Sequence, residues 1–330
     1  MEKKIVTIGG GTGSFTILSG LKKFENLDLC AIVSMVDDGG STGRLRDELG
    51  VLPPGDVRQC LVALSEESKV IRDLFNYRFE DGQLKGHAVG NIIISALEKK
   101  SGSFSEGLGV AMKVLRIKGR VIPVTDDNVN LKMKLGDGRM LKGESEINHN
   151  FFVQEKGLNK ISLQPKAGIN RVARRAIEQA DVIVIGPGNH YCSIVPNLLV
   201  NGLAKALKQS KAKVVYVVNL VNKKGHTNNF TVCDYVDSIN DFIGEHRIDY
   251  VIFNKRKPGK ELISKYRRKG EDLVSACSNL ERNDFEMISD DFLGNEVEYS
   301  KVDKISNMRS LIRHDGNKLA NVIKSISESE

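Results

Sequence analysis

The sequence has no tryptophan, and aromatic residues make up only 6% of its 330 positions. Proteins that grip single-stranded nucleic acid stack bases on aromatic rings, so this scarcity argues against such a partner. No run of about 18 apolar residues is present, and no membrane span is expected. The five cysteines, Cys30, Cys60, Cys192, Cys233 and Cys277, are odd in number, scattered and never spaced as CxxC. No His/Cys ligand cluster and no Ser–His–Asp spacing is visible either, which leaves zinc-site and triad chemistry without support. Strand-like sequence begins by Ile5, leaving no room for a signal peptide. A cytoplasmic protein with reduced, mostly buried thiols is therefore expected.

What is present points to a soluble α/β protein. Hydrophobic residues make up 40% and there are 31 glycines. The formal charge is +7 and the pI about 9.0, which favours anionic partners. The densest basic stretch, Asn254 to Gly270 ("NKRKPGKELISKYRRKG"), reads as a loop and a solvated helix face. Without aromatic interleaving it gives nucleic-acid binding little support.

Strand-like runs are Lys4–Ile8, Leu29–Val36, Arg120–Thr125, Asp181–Ile185, Lys213–Leu220 and Asp249–Phe253. Helix-like segments alternate with them: Ser14–Phe24, Asp56–Asn76, Val89–Lys99, Ser105–Leu115, Ile169–Ala180, Ile194–Gln209 and Thr231–Ile243. That alternation predicts an α/β fold, a Rossmann-like, doubly wound, mostly parallel sheet with helices on both faces. "VNLKMKLGDGRMLKGESEI" instead alternates apolar and polar residues around Asp137-Gly138, a type I′ hairpin signal. The chain length allows one large domain or two. The reading adopted is one domain over 1–330, with 126–166 as an antiparallel hairpin insertion between two α/β halves. The tail reads as a final helix.

Ligands of doubly wound sheets bind at the carboxyl ends of the strands, and five loops fall at such places or at helix starts. Gly9–Gly13 follows the first strand, where glycines let backbone N–H groups approach an anion at a helix N-terminus. Ser14 stands where a dinucleotide fingerprint needs Gly or Ala, and the P-loop lysine is missing. A tight structural turn is the other reading of this loop. Met35–Arg46 ("MVDDGGSTGRLR") offers Asp37 and Asp38 for a ribose hydroxyl or a cation, a flexible cradle at Ser41 and Thr42, and Arg44 or Arg46 for a phosphate. Asp56 follows Pro53-Pro54-Gly55 and reads first as the N-cap of a helix starting at Val57. Arg58, one turn in, is harder to explain as structure. His87 precedes an apolar helix with Asn91 in its first turn, and a lone histidine there is more often structural than catalytic. Finally, Gly186-Pro187-Gly188 follows a buried strand. Two glycine loops on two strand ends can face each other across a crevice that suits a ligand with two ends.

Six motifs, "IGGGTG", "DDGGSTGRLR", "LPPGDVRQCLVAL", "GHAVGN", "GPGNHYCSIVPNLLV" and "IRHD", together resemble the bacterial gluconeogenesis factor family. These proteins are relatives of the 2-phospho-L-lactate transferases of deazaflavin cofactor synthesis. The resemblance runs from about Lys4 to about Ile326. It implies a Rossmann-type protein that binds UDP-sugars, chiefly UDP-N-acetylglucosamine, and supports cell shape and cell-wall synthesis on gluconeogenic carbon sources. The ligand residues so implied are Gly10, Gly11, Thr12, Gly13, Asp38, Arg44, Asp56 and His87. Asn91, Gly186, Pro187, Gly188, Tyr191, Asn197 and Arg313 complete the set. Two stretches depart from the family pattern: Asn189, His190 and Cys192 in the second glycine loop, and Lys223, Lys224 and His226 further on.

Two functions follow as expectations. One is a regulatory protein that senses a sugar nucleotide, with no certain cofactor and no reaction, acting on an unknown protein partner and homodimeric by base rate. The other is a transferase acting on a nucleotide-activated donor, with Asp37, Asp38 or Asp56 as catalytic or magnesium-holding candidates.

Overall fold

The computed structural model describes residues 2–277, 284–295 and 311–329. Ten strands are found among them: β1 (Lys3–Gly9), β2 (Leu27–Val33), β3 (Arg120–Pro123), β4 (Asn130–Leu135), β5 (Met140–Lys142), β6 (Leu158–Gln164), β7 (Val182–Ile185), β8 (Lys213–Val217), β9 (Tyr250–Asn254) and β10 (Glu286–Asp290). Seven form one sheet in the order β10-β9-β8-β7-β1-β2-β3. Every neighbouring pair in it is parallel. Helices cover both faces of such a sheet, which is why β7 reads "VIVI" without polar alternation and is buried at every residue.

The winding has one reversal. From β1 the chain steps to β2 and β3 on one side, then returns so that β7 pairs with the free side of β1. Ile5 consequently lies between Leu29 and Val182. At such a switch point the two connecting loops leave in opposite directions and open a crevice. The Gly11–Leu21 helix packs on the Pro54–Leu64 helix and on the final helix, Gly316–Glu328. A methyl group at Gly20 would lie 2.0 Å from the Gly316 carbonyl oxygen, so this crossing needs glycine.

The insertion is a separate three-stranded antiparallel sheet, β5-β4-β6. β4 alternates buried and open positions, as a half-buried strand should. Its turn is not type I′. Of the two central residues only Gly138 is left-handed, at φ 89°, while Leu135 bonds both Gly138 and Arg139. Gly136 thereby joins the turn, which is the three-residue hairpin with a glycine bulge.

Other elements differ from expectation for local reasons. Asp56–Asn76 is two helices, Pro54–Leu64 and Lys69–Asn76, because Ser68 caps a new start by accepting from the Ile71 amide. Ile194–Gln209 breaks into a π-turn at His190–Ile194, a short turn at Val195–Leu198 and a helix at Leu203–Gln209. The left-handed Gly202 precedes the last of these. Ser41 and Thr42, read as a flexible cradle, lie in the first turn of a helix, Gly40–Leu49. β10, too polar to be recognised, forms one edge of the sheet. The expectation of reduced thiols fails at two positions: Cys233 and Cys277 form a disulfide, brought together by the fold across 44 residues. Cys30, Cys60 and Cys192 are free and buried. Among the described residues no helix is long and apolar enough to cross a membrane.

Arg46 joins the two sheets. Its guanidinium is buried and donates to the carbonyls of Asp37 and Val129, at 2.8 Å each, and to the side chains of Asn128 and Asn130. Arg46 is therefore structural and unavailable as a phosphate clamp. Arg46→Met leaves those acceptors unpaired and should destabilise the protein by roughly 3 kcal/mol. Urea unfolding that gives a loss below about 1 kcal/mol would contradict this role.

Candidate functional site

The loop after β1 begins the Gly11–Leu21 helix, and the loop after β7 runs through Pro187 and Gly188. They meet. A methyl group at Gly13 would fall 1.7 Å from the Pro187 carbonyl oxygen, so only glycine permits this approach. The Asn219 side chain after β8 fixes the second loop, accepting from the Gly188 amide and donating to its carbonyl. Beside these loops lies a cleft of about 650 Å³.

One end of the cleft is acidic and rich in amides. Asp56, Glu144, Asn148, Asn189 and Ser193 line it. The helix bearing Asp56 starts at Pro54, so Asp56 is not its N-cap. Its carboxylate accepts from the Gly11 amide instead, and thus occupies part of the helix N-terminus expected to receive an anion. Asp37 lies behind, accepting from the Gly39 amide at 2.9 Å and from the Thr42 hydroxyl. Asp38 caps the Glu144–His149 helix of the insertion, accepting from Ser145 at 2.7 Å and Glu144 at 3.1 Å. The rest of the lining is cationic and partly apolar, with Lys265, Lys269 and Arg313 together with Tyr266 and Ile312, while Lys223 lies near Cys192, close to the acidic part. Glu271 is the remaining acid of the lining.

The carboxylates perturb one another. Burial, then the Asp37 charge, pushes Asp56 up to about 7. Burial, then Asp37, Asp56 and Asp38, pushes Glu144 up to about 8, although the Cys192 thiol hydrogen-bonds it. Burial raises Asp37 as well. Such a group wants a proton, a cation or a hydrogen-bond donor at neutral pH. Among the described residues no three His, Cys, Asp or Glu side chains form a cage for a metal ion. Magnesium needs no such cage when one or two carboxylates and ligand phosphates share it, and Asp37 and Asp56 fit that pattern. Asp38, committed to its helix cap, does not.

Of the residues inferred from sequence, Gly10, Gly11, Thr12, Gly13, Asp56, Pro187, Gly188 and Arg313 line the cleft. The others support it or lie apart. His87 is buried with Nδ1 3.1 Å from the Ser41 hydroxyl, and Asn91 donates to the same oxygen. Arg58 donates to Asn91 at 2.9 Å and to Asn76, which explains its place in the helix. This buried network braces the acidic loop. Arg44 points outward and donates to the Lys85 carbonyl. Gly186 is buried at the end of β7. Tyr191 is buried beneath the loop, and Asn197 is fully buried, donating to the Ser193 carbonyl at 2.7 Å. His190 packs edge-on to Tyr191 and Tyr235. Burial, then the nearby His226, holds it down at about 3, so it is a neutral packing group. Sequence reasoning missed Glu144, Asn148, Lys265 and Lys269. The two lysines lay in the basic stretch read as solvent-facing, and nothing local marked the other two.

Fold and cleft define a Rossmann-like α/β protein whose site opens at the switch point between β1 and β7. The chain belongs to the family described as 2-phospho-L-lactate transferase CofD, matched over residues 5–293, and several relatives bear the name "gluconeogenesis factor" or "putative gluconeogenesis factor". One such relative, from Thermotoga maritima, is 42% identical over 326 residues, spanning 98% of this chain and 99% of its own. The gluconeogenesis factor of Listeria innocua is 39% identical over 324 residues, spanning 98% and 95%. The crystal structure of protein BH3568 from Bacillus halodurans superposes with a TM-score of 0.88 at 36% identity, covering 98% of this chain and 100% of that one.

The carboxylate shifts make a stability prediction. Asp56 and Glu144 hold protons when folded at pH values where the unfolded chain, with pKa near 4, has lost them. Their contribution is full below that value and is lost as pH rises through about 7 and about 8. Asp56→Asn and Glu144→Gln should melt above the wild type by on the order of 2 °C at pH 9, with the gain shrinking towards pH 5. A gain independent of pH would contradict the assignment.

Proposed function

We propose that this chain is a regulatory protein that binds a UDP-sugar, with UDP-N-acetylglucosamine as the ligand of first choice. The observation that carries the reading is the contact of Gly13 with Pro187, which joins two glycine loops at the switch point into one rim. The diphosphate lies along the amides of Thr12 and Gly13, with Arg313 and Lys223 countering its charge. Occupancy shifts the population of conformations that a protein partner meets, to the extent that affinity differs between them. In the cytoplasm, this role ties sugar-nucleotide supply to cell shape and cell-wall synthesis during gluconeogenic growth.

The raised Asp37 and Asp56 favour one other reading, a magnesium-assisted transferase of the family's named type. Magnesium would be held by those two carboxylates and would offset charge on the leaving phosphate. Asp56, the nearer to the cleft, would orient an acceptor.

Calorimetry and thermal melting with UDP-N-acetylglucosamine, UDP-glucose, GTP and NAD, each with and without magnesium, separate the two. The sensor should be stabilised by UDP-sugars without a magnesium requirement, by about 2.7 kcal/mol at a hundredfold excess over the dissociation constant. Gly13→Ala should weaken that binding at least tenfold. Indifference to every uridine diphosphate sugar would end the first reading, and magnesium-dependent turnover of a nucleotide donor would establish the second.

A further inference from the structure

The insertion delivers a short helix to the cleft, and three separate anchors hold it there. Asp38 caps its N-terminus through both carboxylate oxygens. Asn189 of the second glycine loop donates to Asn148 Oδ1 at 2.7 Å. His226 Nε2 lies 2.8 Å from the carbonyl of Asn150, just past the helix end. A helix tied to the acidic loop, the glycine loop and the segment after β8 is held by the site itself, well beyond what its own sheet requires. Its cleft-facing side chains are Glu144 and Asn148.

Their chemistry is wrong for phosphate. Glu144 stands among Asp37, Asp38 and Asp56, so this part of the cleft repels a diphosphate, while Lys265, Lys269 and Arg313 elsewhere in the lining attract one. It suits a neutral ligand group rich in hydroxyls, whose donors pair with carboxylate and amide oxygens. Asn189 Oδ1, buried and without a partner among the described residues, is one more acceptor in the same wall. A sugar nucleotide carries its diphosphate between two uncharged groups, the nucleoside and the sugar, and the wall beside the insertion helix suits one of these.

We infer that Glu144 and Asn148 are specificity-determining residues that hydrogen-bond the hexosyl hydroxyls of the bound sugar nucleotide. The inference rests on the sugar-nucleotide reading above and assigns the sugar end of that ligand. A site built around such bonds loses much when the sugar is missing, because its polar groups are then left unpaired. Wild-type protein should therefore bind UDP-N-acetylglucosamine at least tenfold more tightly than UDP.

Calorimetric titration of the full chain with both ligands tests the assignment. Glu144→Ala and Asn148→Ala should each weaken UDP-N-acetylglucosamine at least tenfold while changing UDP less than twofold. Glu144→Gln, whose amide keeps one acceptor and gains donors, should recover most of the loss. Retained UDP binding also shows that each variant is folded. Equal losses for both ligands, or no loss for either, would overturn the assignment while leaving the sugar-nucleotide reading in place. Wild-type protein that binds neither ligand would overturn that reading, and the assignment with it.

Discussion

Between the backbone of Gly13 and the carbonyl of Pro187 there is no room for a side chain. This contact sets the separation of two strand ends that are neighbours in the sheet, β1 and β7, and the rest of the site is arranged around it. The Gly11–Leu21 helix starts where the contact lies, so its first amides face the cleft. Asp56 packs beneath the same turn, and Asn219 locks the opposite loop by a reciprocal pair of hydrogen bonds. A larger residue at position 13 would push the loops apart and disturb each of these at once.

The second organising feature is the division of charge. Four carboxylates converge around one end of the cleft, and two of them, Asp56 and Glu144, hold their protons to about 7 and about 8. Lysines and an arginine line other parts of the same cleft. Keeping like charges together is costly in a partly dry site, and it is tolerable only where protons, a cation or donor groups balance it. The same arrangement keeps a ligand's phosphates away from the carboxylates and leaves them room for an uncharged group. It also suits a magnesium-dependent transfer, so the sensing and transferase readings draw on one set of side chains and part at the requirement for the metal.

Much of the sheet was legible in the sequence because buried parallel strands are nearly continuous apolar runs. "IVTIG", "DVIVIG" and "VVYVV" could hardly be anything else. β10 was not, since "EMISD" at a sheet edge lacks that pattern. Glycine loops announced the rim, and Arg313 came from the resemblance alone. The supporting roles of His87, Asn91, Asn197 and Arg46 were hidden, because a buried polar side chain bracing a loop has the same local sequence as one touching a ligand. Glu144 and Asn148 were hidden for another reason. They reach the cleft through the tertiary placement of the insertion, which no local spacing encodes. The Cys233–Cys277 disulfide is likewise a product of tertiary placement.

The central claim is that two glycine turns, distant in sequence, receive one ligand together. Hydrogen–deuterium exchange with and without UDP-N-acetylglucosamine tests it most directly. Amides of residues 10–16 and of residues 188–194 should slow together and with the same dependence on ligand concentration. Protection confined to one of the two loops, or found only elsewhere in the chain, would contradict the account.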